Sequence, residues 1–220
     1  MNPQFLFVEL AGEHANQVNI LQGAALELRT AGATVLAYAP AGRVSCLEPG
    51  TVGSGILIAR APDAQAALRI GKSVLLPFLA RSLHAGSVPL VLVVNGLPAN
   101  GLPEMMAIPT VASVPVAPSL PRNSLMVVRG SVTNQDQLDK YRDVILPMLK
   151  ERAGYYEVFA ISPGEVTALS GEWRDQIFAI SRWPSRVAAE DFWFSDRYQT
   201  QAIPLRVGHG HFDVHLLDVA

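Results

Sequence analysis

Three histidines and an aspartate fall within seven residues near the end of the chain, in His209-Gly-His-Phe-Asp-Val-His215. On an extended strand His211, Asp213 and His215 share one face with His209, while Phe212, Val214 and Leu216 take the other, because side chains alternate with period two. A neutral imidazole beside a carboxylate can act as a general base with an orienting partner, which makes His211, Asp213 and His215 the catalytic candidates. The same residue types bind metals. Same-face neighbours stand about 7 Å apart, however, so only a pair such as His211 and Asp213 could converge on one ion. A third ligand has to come from another strand, for example Glu157, and no metal is assigned. A hydrogen-bonded polar lining explains the row as well, with His209 in the preceding turn.

Arg206, just before that row, offers a planar guanidinium to an anionic substrate group; a salt bridge is the plainer use. Phe192, Trp193 and Tyr198 could wall an apolar pocket, although aromatics at helical spacing commonly form core. Cys46 has no His or Lys near it in sequence and reads as a buried, inert thiol. Gly53-Ser-Gly55 is too short, and in the wrong context, for a phosphate loop.

The elements that must position these residues come from a chain of 220 residues, half of them hydrophobic and 16% charged. That is ample for a buried core, as one large domain or two smaller ones. A net charge of −2 gives no electrostatic footprint for nucleic acid. The apolar run Val88 to Val94 is far short of the roughly 20 residues of a membrane helix. The single cysteine rules out an internal disulfide and fits a reducing compartment, so the expected location is cytoplasmic.

The chain repeats a pattern at a period of roughly 120 residues. Phe5-Leu-Phe-Val-Glu-Leu10 matches Leu125-Met-Val-Val-Arg-Gly130 as a strand. A helix follows in each case, with Val18, Leu21, Ala25 and Leu28 or Leu138, Tyr141, Ile145 and Met148 at helical spacing. Pro147 predicts a kink in the second, and Gly32 and Gly154 are placed to end the helices in the left-handed conformation. Thr34–Ala39 with Val44–Leu47, and Tyr155–Ile161 with Glu165–Leu169, read as hairpins across Pro-Gly turns. A further strand (Ile56–Arg60, Ile177–Arg182) leads to a helix capped by Asp63 or Ser185, and a last strand closes each half (Leu90–Val94, Phe212–Leu217). This order gives an α+β fold of tandem ferredoxin-like halves, residues 1–97 and 125–220, whose sheets cover one another as a dimeric α+β barrel within one chain. Residues 98–124 form a Pro-rich linker, alternatively a lid using Met105 and Met106.

The second half carries further phrases: Tyr141 ahead of Pro147, Gly171-Glu-Trp173, Trp183-Pro-Ser185, the run Phe192-Trp-Phe-Ser-Asp-Arg-Tyr198, and Arg206. With these it resembles the 1330 family of domains of unknown function, of the dimeric α+β barrel group. The first half lacks the aromatic run and looks like a degenerate copy. The resemblance brings no common activity; the wider group includes cofactor-free monooxygenases, haem-dependent enzymes and muconolactone-isomerase-like proteins, and fold does not choose among them.

The expected function is binding of a small, partly apolar or carboxylated molecule in a pocket of the second half, between its sheet and helices, with general acid–base catalysis open to it. His211, Asp213 and His215 would be its polar groups, Arg206 and Glu157 its charged contacts, and Phe192, Trp193 and Tyr198 its walls. The alternative is a non-catalytic assembly module, a homodimer for instance, using the low-charge stretch Gly53 to Gly96 of the first half. No cofactor is assigned; a haem protein using a strand histidine ranks last, since no residue calls for iron.

Overall fold

The computed structural model describes residues 2–11, 16–48, 53–84, 86–103, 107–114 and 123–220. Met105 and Met106 lie outside them, and with them the lid reading. Ten strands and six helices run in chain order as β1 (Gln4–Ala11), α1 (Gln17–Thr30), β2 (Thr34–Ala39), β3 (Ser45–Cys46), β4 (Ser54–Ala61), α2 (Ala64–Ile70), α3 (Leu76–Ser82) and β5 (Leu90–Asn95). They continue as β6 (Ser124–Val132), α4 (Gln135–Glu151), β7 (Tyr155–Ala160), β8 (Val166–Ser170), β9 (Ile177–Trp183), α5 (Arg186–Phe194), α6 (Ile203–Arg206) and β10 (Gly210–Asp218).

The alternation of apolar side chains builds two antiparallel sheets of five strands, ordered β2-β4-β1-β5-β8 and β3-β10-β6-β9-β7. Phe5 and Phe7 of β1, Ile56 and Ile58 of β4, Leu125 and Val127 of β6 and Phe178 and Ile180 of β9 fill the space between the sheets. Phe7 meets Phe178 edge to face at 5.0 Å, a geometry worth about 1 kcal/mol beyond area burial. The opposite face of each sheet packs on its own helices: Leu6, Val8 and Leu10 against α1 to α3, and Met126, Val214 and Leu216 against α4 to α6. Every residue of β1 from Gln4 to Leu10 is buried. The low charge of the first half is therefore used up by strands enclosed on both faces.

The expected hairpins do not form. β2 pairs with β4 and β7 with β9, while the short strands cross to the far sheet: β3 pairs with β10, and β8 with β5. Turn residues gave the reversal of direction, but each sheet leaves an edge whose N–H and C=O groups need a partner, and the strand from the other half supplies it.

Local signals hold closely elsewhere. Asp63 accepts from the Ala66 N–H at 2.8 Å and Ser185 from the Ala188 N–H at 3.1 Å, capping α2 and α5. Gly32 takes the left-handed conformation at φ 92°, but after α4 it is Ala153 that does so, at φ 54°. Gly154 is needed for another reason: a Cβ there would stand 3.0 Å from Leu149 Cγ and from the Trp183 ring. On α1 the inward stripe is Ile20, Leu21, Ala24, Ala25 and Leu28, and Val18 points out. The proline-rich stretch and the residue before it are tied to the second sheet where described, by Leu97 N–H to the Glu157 carbonyl and Tyr156 N–H to the Pro109 carbonyl, both 2.8 Å.

Candidate functional site

Strand β10 separates the chemistry-bearing residues into two sites. Its even residues Phe212, Val214 and Leu216 face the helices, and Leu217 faces the first sheet, so alternation turns Asp213 and His215 toward the space between the sheets. The aromatics of α5 lie on the helix side. The histidine row and Phe192, Trp193 and Tyr198 are thus divided by the sheet and cannot line one pocket, contrary to the expectation from sequence.

The inter-sheet site sits at one mouth of the barrel and is organised by Arg129 of β6. Its guanidinium bonds Glu9 of β1 through two nitrogens, at 2.8 and 3.2 Å, and Asp213 of β10 at 2.8 Å. Asp213 stands opposite Arg129 in the strand register, which fixes that contact. A third carboxylate comes from the segment before β9: His211 Nε2 lies 3.1 Å from Asp175 Oδ1. That segment is clamped to the end of β6 by Gln176, whose N–H donates to the Gly130 carbonyl at 2.9 Å and whose side chain accepts from the Val132 N–H at 3.1 Å. Gly130 is required where β10 crosses, because a Cβ would fall 2.3 Å from the His211 carbonyl.

Glu9 and Asp213 share the guanidinium, while Asp175 is held by His211 beside it. Burial pushes its carboxyl above the ordinary value, Asp213 adds to the rise, and Arg129 and His211 oppose it. His211 is largely in solvent, its side chain 66% exposed, whereas that of Asp175 is 12% exposed. Asp175 also lines a cleft of about 510 Å³, where Trp173, Ile161, Val166 and Ile177 stand beside the polar Gln135, Ser162 and Gln176. His215 lies deeper, buried, with Cys46 opposite it in register. Cys46 is exposed rather than buried, and desolvation, then Asp213 and Glu9, push its thiol up, so it stays protonated and unreactive.

The helix-side site is organised by Arg206. The residue is buried, and its guanidinium carbon lies 4.8 Å from the Phe212 ring centre, 5.2 Å from Trp193 and 5.9 Å from Tyr141. It bonds Glu48, which arrives from the first half just after β3. Tyr198 reaches the same cluster because α5 stops at Ser195 and a wide turn over Tyr198–Ala202 re-aims the chain before α6. Such π-type turns recur at functional sites. The Tyr198 and Tyr141 hydroxyls are 2.9 Å apart. Burial raises both tyrosines above their ordinary value, so neither loses its proton at neutral pH. Burial opposes the Arg206 charge, yet the facing hydroxyl oxygens of Tyr141 and Tyr198 and the Glu48 carboxylate favour it, and the guanidinium is held above its usual value.

Glu157 belongs to neither site. It sits on β7, three strand spacings from β10, and pairs with Arg182 at 2.6 Å. It cannot join His211 and Asp213 on one ion, since three spacings amount to roughly 14 Å. Among the described residues no group of three or more His, Cys, Asp or Glu is arranged to hold a metal ion. Sequence reasoning missed Asp175, Glu9, Arg129 and Glu48. A lone charge inside the apolar runs Phe5–Leu10 and Leu125–Gly130 was a usable signal for the middle two; Asp175 and Glu48 lie in irregular segments that give none.

Residues 123–220 match the model of a domain of unknown function, DUF1330, which bears out the resemblance of the second half; the match does not extend to the first half. No curated protein matches the sequence. Among solved structures, the chain is similar to a heme-bound variant of DypB from Rhodococcus jostii, at 10% identity and TM-score 0.56, over 99% of this chain and 93% of that one. A mutant chlorite dismutase from Candidatus Nitrospira defluvii gives 10% identity and TM-score 0.53 over 99% and 91%. An anthrone oxidase-like protein gives 10% and 0.50 over 100% and 92%. These likenesses show the fold alone: two antiparallel sheets of the ferredoxin-like, dimeric α+β barrel kind. No helix among the described residues is long and apolar enough to cross a membrane.

Proposed function

We propose that the chain binds a small, partly apolar molecule in the cleft beside Trp173, with Asp175 as its acid–base group. One observation carries this reading: a carboxyl held above its ordinary value stands on the wall of a partly apolar cleft, hydrogen-bonded to an imidazole that reaches solvent. Perturbed carboxyls in clefts are candidate proton donors and acceptors. His211 would hold the Asp175 carboxyl in place and pass its proton to water, and Asp213 would act through Arg129 rather than on the ligand. His215, sealed between the sheets, is a supporting residue in this scheme.

The charge of the site selects the ligand. Arg129 and Arg206 are each engaged by carboxylates of the chain itself. An anionic group in this cleft would face Asp175, with no arginine among the described residues that line it. A neutral or cationic ligand suits it, not the carboxylated one expected from sequence.

The residues do not fit haem. His215 is enclosed between the sheets and His211 is exposed and paired with Asp175, while Trp183, Met148, Tyr198 and Ala202 fill the space between the second sheet and its helices. The order of elements, given twice from β1 to β5 and from β6 to β10, supports reading the chain as two ferredoxin-like halves. An assembly role for the first half loses its support, because the low-charge strands are buried within the chain.

Titration with benzyl alcohol, benzylamine and benzoate, followed at the Trp173 indole by NMR, tests the reading. The first two should give saturable shifts and benzoate none, and Asp175→Asn should remove the benzylamine response. No shift of the Trp173 indole with either of the first two probes would sink it.

A further inference from the structure

We infer that the Arg206 cluster is a receptor for a short aliphatic monocarboxylate, occupied in this structure by the chain's own Glu48. The inference is independent of the cleft beside Asp175 and concerns the opposite face of β10.

The guanidinium is built in as a binding group rather than left as a surface charge. Only 4% of its side chain is exposed, three aromatic rings lie within 6 Å of its carbon, and its Nε is buried without a hydrogen-bond partner among the described residues. The rings stabilise the cation through their negative faces and exclude water, which strengthens its attraction for one carboxylate. They also carry no negative charge to compete for it. A buried guanidinium fork matched to a planar carboxylate is the usual means of recognising that group.

What occupies the receptor is held by few backbone bonds. Glu48 is a single carboxylate, with a side chain 22% exposed, two residues after β3, and its neighbour Leu47 packs against the helix-side core. β3 has only two residues in register with β10, His215 with Cys46 and Leu216 with Ser45. The Leu47 N–H adds one bond to the Val214 carbonyl at 2.9 Å, and Ser45 takes one from Arg186 at 2.9 Å. A tethered carboxylate competes at an effective concentration in the millimolar range. A free carboxylate above that range displaces it and frees the Leu47 amide. The vacated space is that of a glutamate side chain, so propionate has the matching size and charge.

The test uses the whole chain, propionate as probe and propionamide as the uncharged control, at matched ionic strength. In the parent protein, propionate should speed hydrogen exchange of the Leu47 amide saturably, and propionamide should not. In Glu48→Ala, propionate should raise the Tm saturably, with an apparent dissociation constant at least about tenfold lower than in the parent because the internal competitor is gone. Adding Arg206→Met should abolish that rise. If Glu48→Ala does not fold, Glu48→Gln serves, since its neutral amide fills the space and yields to propionate more easily than the parent. No saturable propionate effect on the parent would mean that Glu48 is a fixed structural partner and would overturn the inference. So would a Tm rise that persists without Arg206.

Discussion

The two faces of β10 present the same ion pair in opposite surroundings. At the barrel mouth Arg129 meets Glu9 of the first half, and on the helix side Arg206 meets Glu48 of the first half. Around Arg129 the further neighbours are carboxylates, Asp213 and Asp175; around Arg206 they are aromatic rings and tyrosine hydroxyls. Burial of Asp175 leaves a carboxyl that keeps its proton to higher pH, which is the basis for reading the first site as an acid–base one. Rings give one cation a fixed charge in a dry place, so the second suits recognition. An arginine's role is set by what surrounds its first partner.

The comparison can be broken most forcefully at Arg206. Arg206→Ala strips the aromatic cage of its cation and leaves Glu48 unpaired, and chemical denaturation should show a loss of about 3–4 kcal/mol, in the range for breaking a buried pair. Arg129→Ala should cost less, about 2 kcal/mol by the same measurement, because Arg129 is more exposed than Arg206 and Asp213 can turn to solvent, leaving only Glu9 buried. If the two losses prove equal, the contrast between the dry and the wet site is wrong. Tyr198→Phe removes one hydroxyl of the buried tyrosine pair and should lower stability by about 1 kcal/mol.

Asp175→Asn sharpens the comparison with the smallest effect and a definite sign. Native Asp175 keeps its proton to a higher pH than the ordinary 3.8 of the unfolded chain. Between those two values the native state binds more protons, so its contribution to stability falls as pH rises through the window. The asparagine variant should therefore melt above the parent at neutral pH. That advantage should vanish as the pH drops below 3.8. Equal melting temperatures across the range would mean that Asp175 is not strained by its burial.

Much of the fold was legible because period-two and helical spacing are local properties. Asp63 and Ser185 announced their helices, and His211, Asp213 and His215 announced a strand with one polar face. Strand pairing was not legible in the same way: β3 and β8 carry turn residues ahead of them like any hairpin, and only closure of the two sheets sends them across. The site was half visible for a related reason. The polar row could be read from its own alternation, but Asp175 joins it from a segment whose position depends on Gln176 bonding to β6. The aromatic run near Tyr198 was visible as a cluster, whereas the wide turn that brings Tyr198 to Tyr141 has no signature in residue type.

The contact between Glu9 and Arg129 has a bearing on how such a barrel acquires a site. Each is the fifth residue of a matching run, Phe5 to Glu9 and Leu125 to Arg129, and the two meet across the barrel. Where two identical subunits form such a contact about a two-fold axis, a residue meets its own copy, so a lone acid faces an acid and a lone base faces a base. Within one polypeptide the two places are free to differ, and here one holds an acid and the other a base.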